Sequence, residues 1–231
     1  MPIAAPMTPS DLAQPAARLA AVHAAIDQAA RLAKRSASDV TLIAVSKTHA
    51  ANAIVPLIAA GQRVFGENRV QEASAKWPAL IEQTPDIALH LVGQLQSNKA
   101  EEAVRLFAAI HSIDRQSLVT AIARAADKVG RQPACFIQVN IGDEAQKGGC
   151  AVADVPGLIA DVMTAGLPLA GLMCVPPADL EPAPYFALLA KIARDHGLAG
   201  LSMGMSGDYP TAVTLGATHV RVGSALFGAR G

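Results

Sequence analysis

Short apolar runs alternate along the chain with longer alanine-rich segments whose apolar residues recur at helical spacing. A run of four to eight apolar residues is typical of a buried strand, and the 3.6-residue period of the intervening segments is typical of an amphipathic helix. Eight such runs predict strands at residues 41–46, 63–66, 89–93, 110–114, 135–141, 169–174, 201–206 and 219–223.

Strands that alternate with helices form parallel sheets, because each parallel pair needs a long crossover connection. Eight parallel strands are the number that fills a closed barrel with side chains. The pattern therefore predicts the α/β class with a (β/α)8 TIM-type barrel, favoured over an open doubly wound sheet.

The segment before the first strand is predicted to be an additional N-terminal helix that packs on the barrel. Pro15 suits a helix start, since the first helical position needs no backbone donor. We expect a flexible N-terminus over residues 1–8 and one barrel domain over 9–231, with one or two helical turns after the last strand. The residues on the buried face of this helix are Leu19, Val22, Ile26, Ala29 and Ala33.

Composition and charge narrow the class of protein. The 231 residues are 52% hydrophobic and 16% charged, and 19 Lys plus Arg balance 19 Asp plus Glu. A chain with zero net charge has no long-range field to gather nucleic acid or an anionic membrane. Any anion must therefore be captured locally, and a monomer or weak dimer is compatible with this charge.

The cysteines Cys135, Cys150 and Cys174 are too scattered for a disulfide framework or a zinc turn. The first ten residues lack the basic start and apolar stretch of a secretory signal. We therefore expect a cytoplasmic protein with reduced thiols and no metal site, and we interpret Cys174 as a core thiol.

Lys47 is the lysine that directly follows an apolar strand. An amine at the rim of a barrel is partly desolvated, which lowers its pKa and favours imine formation with an aldehyde. The alternative is a lysine that extends to solvent or pairs with a neighbouring carboxylate.

The seventh and eighth strands both end in small turns that lead into helices, around Ser206 and around Gly223 and Ser224. Barrels commonly bind phosphate at the last two loops, with backbone N–H groups and hydroxyls as donors. Alternatively, Ser206 or Asp208 only caps a helix near Pro210, and Gly223 is a turn glycine. The two turns together with Lys47 favour the phosphate.

Arg221 lies inside the eighth strand between two valines. Since strand side chains alternate, it points either into the barrel mouth or outward to a helix carboxylate. An inward guanidinium has donors for a ring nitrogen of a ligand and keeps that nitrogen unprotonated.

Two further positions carry weaker signals. Asn68 follows the second strand and is within reach of the barrel mouth, whereas Glu67, Arg69 and Glu72 are interpreted as a solvated helix start. His90 lies within the third strand, where a lone histidine is more often a satisfied core residue than a catalyst.

Seven sequence blocks in order make the chain resemble the pyridoxal phosphate homeostasis protein family, from about Leu19 onward. They are AVSKTH, FGENRVQEA, LHLVGQLQSNK, IHSIDR, VNIGDEAQKGG, GLMCVPP and LSMGMSGDYPTAVTLGATHVRVGSALFGAR. Arg69 stands where many relatives carry Tyr, and Ser224 where many carry Thr.

The resemblance implies a barrel like the N-terminal domain of alanine racemase that holds pyridoxal 5′-phosphate as an imine on Lys47. By matching position, Ser206, Gly223 and Ser224 hold the phosphate, and Arg221 faces the pyridine nitrogen. Asn68, His90 and Met203 are implied to line the cofactor site.

The expected function is non-catalytic: buffering and delivery of this cofactor, with apo-enzymes that depend on it as recipients, in vitamin B6 and amino-acid balance. A racemase needs acid–base groups on both faces of the substrate carbon, and only Tyr185 and Tyr209 offer a phenol. A minimal amino-acid racemase is the alternative, and a Schiff-base aldolase acting through Lys47 is a third.

Overall fold

The structure, a computed structural model, describes residues 9–228, with no side chains described before residue 14. Eight parallel strands pair in chain order and β8 closes onto β1, which confirms the predicted (β/α)8 barrel. The strands are β1 (Thr41–Val45), β2 (Val64–Glu67), β3 (Ala88–Leu91), β4 (Ala109–Ile113), β5 (Ala134–Val139), β6 (Leu169–Cys174), β7 (Gly200–Met205) and β8 (His219–Val222).

Helices follow the strands and cover the barrel. They are α1 (Pro9–Leu32), α2 (Ala51–Ala59), α3 (Val70–Gln83), α4 (Ala100–Leu106), α5 (Gln116–Val129), α6 (Val155–Thr164), α7 (Ala183–Asp195), α8 (Tyr209–Thr214) and α9 (Ser224–Phe227). Short 3₁₀ turns lie at Ala37–Asp39, Ser97–Lys99 and Val152–Asp154.

The predicted N-terminal helix is present, but its predicted start was wrong. α1 begins at Pro9 and includes Pro15 as its seventh residue, where a proline removes one backbone hydrogen bond and crowds the preceding turn. Leu19, Val22 and Ile26 are buried as expected, and α1 packs against α2, α8 and α9. The flexible segment predicted over residues 1–8 lies outside the described part of the chain.

The core lies between the strands and the surrounding helices. Fully buried Trp77 on α3, Phe107 after α4 and Phe186 on α7 fill this layer together with the Ile, Leu and Val side chains of the strands. Burying such apolar surface is the main stabilising contribution to the fold. The carboxyl ends of the strands are thereby fixed, and the loops that follow them start from a rigid ring.

One glycine is required for the path of β7. The β7–β8 register shifts between Ser202 and Met205, and Gly204 in this interval has a φ of +92°. A Cβ there would lie 2.6 Å from the Cβ of Ala212 on α8. Bulges of this kind redirect a strand end, and here the redirected end leads into the turn that carries Ser206.

The proline-rich stretch after β6 gives way to α7 at Ala183. Proline is well tolerated in the first turn of a helix, so Pro184 does not delay the start. No helix within residues 9–228 is both long and apolar enough to span a bilayer.

Candidate functional site

A cavity of about 430 Å³ opens at the carboxyl ends of the strands. This is the end of a parallel barrel where ligands bind, and the volume falls within the roughly 300–1,000 Å³ of small-molecule pockets. Loops after β1, β2, β3, β6, β7 and β8 all contribute to its wall. Its lining includes Lys47, His49, Asn68, Val92, Val175, Met205, Ser206, Gly207, Arg221, Gly223 and Ser224.

Six of the eight predicted site residues come together in this wall: Lys47, Asn68, Ser206, Arg221, Gly223 and Ser224. Lys47 is half-buried in the turn after β1, and Ser206 and Gly223 follow β7 and β8. The structure therefore brings the amine and the two small turns into one cavity, as their positions at the strand ends predict.

The two turns after β7 and β8 are joined by a hydroxyl. Ser206 Oγ accepts hydrogen bonds from the backbone N–H groups of Gly223, at 3.1 Å, and of Ala225, at 3.5 Å. Ser206 therefore does not cap α8. Asp208 occupies the N-cap position of α8, but its carboxylate accepts the Met205 N–H at 2.5 Å instead of capping the helix.

Arg221 points inward, so the alternative of an outward pair with a helix carboxylate was wrong. Its Nη1 donates to the carbonyl of Ser202 at 2.7 Å and to its hydroxyl at 2.8 Å, and Nη2 donates to the Cys174 carbonyl at 2.8 Å. Burial lowers the pKa of this guanidinium. These three bonds fix its plane at the floor of the cavity.

Asn68 lies in the wall because the loop after β3 passes close to it. A Cβ on Gly93 would lie 2.3 Å from the Asn68 carbonyl oxygen. Only glycine permits this approach of two backbones. The loops after β2 and β3 are therefore held together at the mouth.

The predicted solvated helix start after β2 was wrong for Glu67. Its side chain is fully buried, and Oε1 accepts from Ser46 Oγ at 2.6 Å and from Trp77 Nε1 at 3.0 Å. The same carboxylate forms an ion pair with Lys76 Nζ at 2.7 Å. A buried carboxylate needs such partners, and only Arg69 of the predicted solvated group is exposed.

His90 and Met203 are not among the residues of the cavity wall. Both are buried in the barrel, where His90 Nδ1 lies 3.0 Å from His111 Nε2. His111 Nδ1 in turn lies 2.8 Å from Ser202 Oγ, which accepts from Arg221. A chain of polar contacts thus runs from the barrel interior to the cavity floor.

Burial keeps these histidines neutral. It lowers the pKa of His90 to about 3 and of His219 to about 4, and holds the pKa of His111 well below its ordinary value. The neighbouring histidines and Arg221 act in the same direction because like charges disfavour protonation. Proton exchange near neutral pH is therefore not available to this interior layer.

The cysteines are all buried thiols. Burial raises the pKa of Cys135 and Cys174 to about 12 and of Cys150 to about 11. Since the thiolate is the reactive form, none of them acts as a nucleophile in the folded chain. Among residues 9–228, no cluster of His, Cys, Asp and Glu side chains has the arrangement of a metal site.

His49 was missed by sequence reasoning. It lines the cavity and stacks on Phe227 of α9, with ring centroids 4.4 Å apart. Its position two residues after Lys47 was the available signal, but the stacking depends on α9, which is distant in sequence. This contact links the turn after β1 with the helix after β8.

The family model of the alanine racemase N-terminal domain matches residues 19–231. The pyridoxal phosphate homeostasis protein of Pseudomonas aeruginosa is 41% identical over 224 residues, which are 93% of this chain and 95% of that protein. That of Deinococcus radiodurans is 42% identical over 210 residues, 90% and 98% of the two chains.

Solved structures of PipY from Synechococcus elongatus PCC7942 are also similar. The structure without PLP has a TM-score of 0.83 and the one with PLP bound 0.80, each at 40% identity over 93% of this chain and 100% of PipY. Barrel and family match together define a protein of the alanine racemase N-terminal-domain class. Within that class, the chain belongs to the pyridoxal phosphate homeostasis protein family, which confirms the resemblance seen in the sequence.

Proposed function

We propose that this protein binds pyridoxal 5′-phosphate in the cavity at the carboxyl ends of the strands and acts as a carrier of it. The observation that supports this most directly is the convergence of Lys47, Arg221 and the Ser206–Gly223 turns on one cavity. The PLP-bound PipY structure, at 40% identity, supports the same ligand.

The residues present fit this cofactor. The phosphate suits the β7 and β8 turns, where the Ser206 and Ser224 hydroxyls are donors, and Gly207 and Gly223 keep the wall free of side chains. At Gly223 a Cβ would lie 3.3 Å from the Val45 carbonyl oxygen and would narrow the cavity. The Arg221 guanidinium, a donor only, suits an unprotonated pyridine nitrogen.

The bound cofactor supplies an electrophilic aldehyde. Lys47 is the residue that would hold the cofactor there, since its amine would condense with the aldehyde and release the carbonyl oxygen as water. Ser206, Gly223 and Ser224 orient the phosphate, and Asn68 and His49 limit the ring to one position. Arg221 donates toward the pyridine nitrogen and thereby weakens the ring as an electron sink.

A carrier is favoured over a racemase by the position of the phenols. Tyr209 is buried on α8, where burial raises its pKa, and Tyr185 lies on α7. Within the described residues, neither tyrosine lines the cavity. The cavity at the mouth of the barrel then serves exchange of cofactor with apo-enzymes that depend on it, in a cytoplasm that keeps the buried thiols reduced.

The test is the substitution of Lys47. Wild-type protein mixed with pyridoxal 5′-phosphate is expected to show a visible absorption band, and borohydride is expected to fix the cofactor mass on the peptide that contains Lys47. Lys47→Ala is expected to lose both signals but to retain non-covalent binding. Lys191→Ala, an exposed lysine paired with Asp195 on α7, is the matched control.

Two results contradict the proposal. Modification of another lysine with Lys47 unmodified would exclude the assigned attachment point. Deuterium exchange at Cα of amino acids at enzyme-like rates would replace the carrier by the racemase.

A further inference from the structure

The turn that carries Lys47 has an unfavourable backbone conformation. Thr48 has a φ of +67°, in the left-handed region that β-branched residues rarely adopt. Such a conformation persists only where surrounding contacts hold it. The contacts that hold this turn are therefore relevant to where the Lys47 amine points.

Lys76 on α3 donates to backbone on both sides of Lys47. Its Nζ lies 3.0 Å from the Ser46 carbonyl oxygen and 3.0 Å from the His49 carbonyl oxygen. The Lys76 side chain is only 8% exposed. Its ammonium thus bridges the two ends of the turn from within the protein.

Two carboxylates fix that ammonium. Glu67 lies 2.7 Å from Nζ and is fully buried, and Glu72, one turn earlier on α3, lies 3.3 Å away. Glu72 also accepts the N–H of Thr48 itself at 2.6 Å. The strained residue is therefore tied to the same ionic cluster as the carbonyls on either side of it.

We propose that Lys76 and Glu72 are positioning residues that hold the Lys47 amine in the direction from which it attacks the aldehyde. This inference rests on the proposed function, because it concerns the same covalent step. Lys76 and Glu72 are not among the residues of the cavity wall; they act through the backbone of residues 46–49. Loss of the ammonium leaves two carbonyls without this donor and lets the turn relax.

The test compares Lys76→Met with Lys99→Met. Lys99 also pairs with a glutamate, Glu102 at 3.1 Å, and is half-buried, but it lies just before α4, in the segment after β3. Three quantities are measured: covalent attachment of pyridoxal 5′-phosphate, affinity for pyridoxamine 5′-phosphate, and amide hydrogen exchange of Thr48 without cofactor. Pyridoxamine 5′-phosphate has no aldehyde, so it reports the ring and phosphate contacts alone.

Lys76→Met is expected to weaken covalent attachment by roughly tenfold, the effect of losing one or two hydrogen bonds to a charged group. Its affinity for pyridoxamine 5′-phosphate is expected to stay within about twofold of wild type, because the substitution changes no residue of the cavity wall. Thr48 exchange is expected to accelerate about tenfold or more, as for a locally released loop. Lys99→Met is expected to match wild type in all three.

Unchanged attachment and Thr48 exchange in Lys76→Met would overturn the inference, as would equal losses for the two cofactor forms. If Lys76→Met does not fold, Glu72→Gln decides by the same measurements, since Glu72 is partly exposed and lies at the helix surface. Failure of wild-type protein to bind pyridoxal 5′-phosphate would contradict the proposed function instead, while Thr48 exchange still decides whether Lys76 holds the turn.

Discussion

The two sides of the cavity are built from different interactions. The β1–β2 side, residues 46–49 and 67–68, rests on a buried ionic cluster of Glu67, Lys76 and Glu72. The β7–β8 side, residues 205–207 and 221–224, is joined by a neutral hydroxyl and backbone N–H groups. The first side is thus held by ion pairs, whereas the Ser206 link that joins the two turns of the second side consists of neutral hydrogen bonds.

This difference matches what each side must do in the proposed function. A phosphate needs several hydrogen-bond donors and no competing negative charge. Backbone N–H groups are such donors, and they bind without the entropy cost of ordering a side chain. An attacking amine needs one direction, and a rigid ionic support fixes that direction. A buried ion pair is costly to disrupt, so the two sides are expected to respond very differently to substitution.

The largest effect is expected on the β1–β2 side. Glu67→Gln leaves the Lys76 ammonium with half its counter-charge, and loss of one partner of a buried pair costs about 3–5 kcal/mol of unfolding free energy. Chemical denaturation measures it. Asp86→Asn is the matched control, because Asp86 pairs with Arg63 at the same 2.7 Å but is exposed, and surface pairs contribute about 1 kcal/mol or less. Equal losses in the two variants would contradict the distinction between them.

The next effect is a pH dependence of stability that comes from the neutral histidines in the barrel interior, which contact the β7–β8 side through Ser202 and His219. His90 and His219 have folded pKa values of about 3 and about 4 against an ordinary 6.5. Below pH 6.5 the unfolded chain binds protons that the folded chain does not, so stability is lost as pH falls. The loss between pH 7.5 and 5 is about 1–2 kcal/mol per histidine.

Denaturation midpoints across this range measure the dependence. His219→Gln is expected to remove one histidine's share of it, whereas the exposed His196→Gln is expected to leave it as in wild type. A wild-type slope in His219→Gln would show that this histidine does not link the interior to pH.

The smallest effect on stability is expected on the β7–β8 side itself. Ser206→Ala removes the acceptor for the Gly223 N–H, a partly exposed hydrogen bond worth about 1 kcal/mol or less. Affinity for pyridoxamine 5′-phosphate is expected to fall by roughly tenfold, since a bond to a charged phosphate is stronger. Ser117→Ala on the exposed surface of α5 is the control. A stability loss in Ser206→Ala as large as that in Glu67→Gln would remove the contrast between the two sides.

The barrel could be predicted from the sequence because it depends on local patterns. Each strand is a compact apolar run, and each of the eight observed strands overlaps a predicted one. The first residue of a helix was less predictable where a proline lies near it. Pro184 lies in the first turn of α7, where a missing N–H is tolerated. Pro15 lies further inside α1, which begins at Pro9, and the sequence alone does not show that the helix starts before this proline.

The candidate site was predictable where it follows a strand end. Lys47, Ser206 and Gly223 were found because the ends of parallel strands meet at one face. Glu67 was misjudged because its burial depends on Lys76 and Trp77, which reach it from the middle of α3. His111 was missed because both faces of a strand are apolar in a buried sheet. The sequence pattern therefore does not show which residues of β4 point toward the barrel axis.

The three buried cysteine thiols described above can report when the folded barrel opens. Cys135 lies on β5 and Cys174 on β6, and Cys150 lies in the segment between these two strands. A thiol-specific alkylating reagent meets them only when the ring of strands separates locally or globally. The alkylation rate therefore measures how often the barrel opens. A ligand that stabilises the closed barrel is expected to slow alkylation, and no spectroscopic label is needed to detect it.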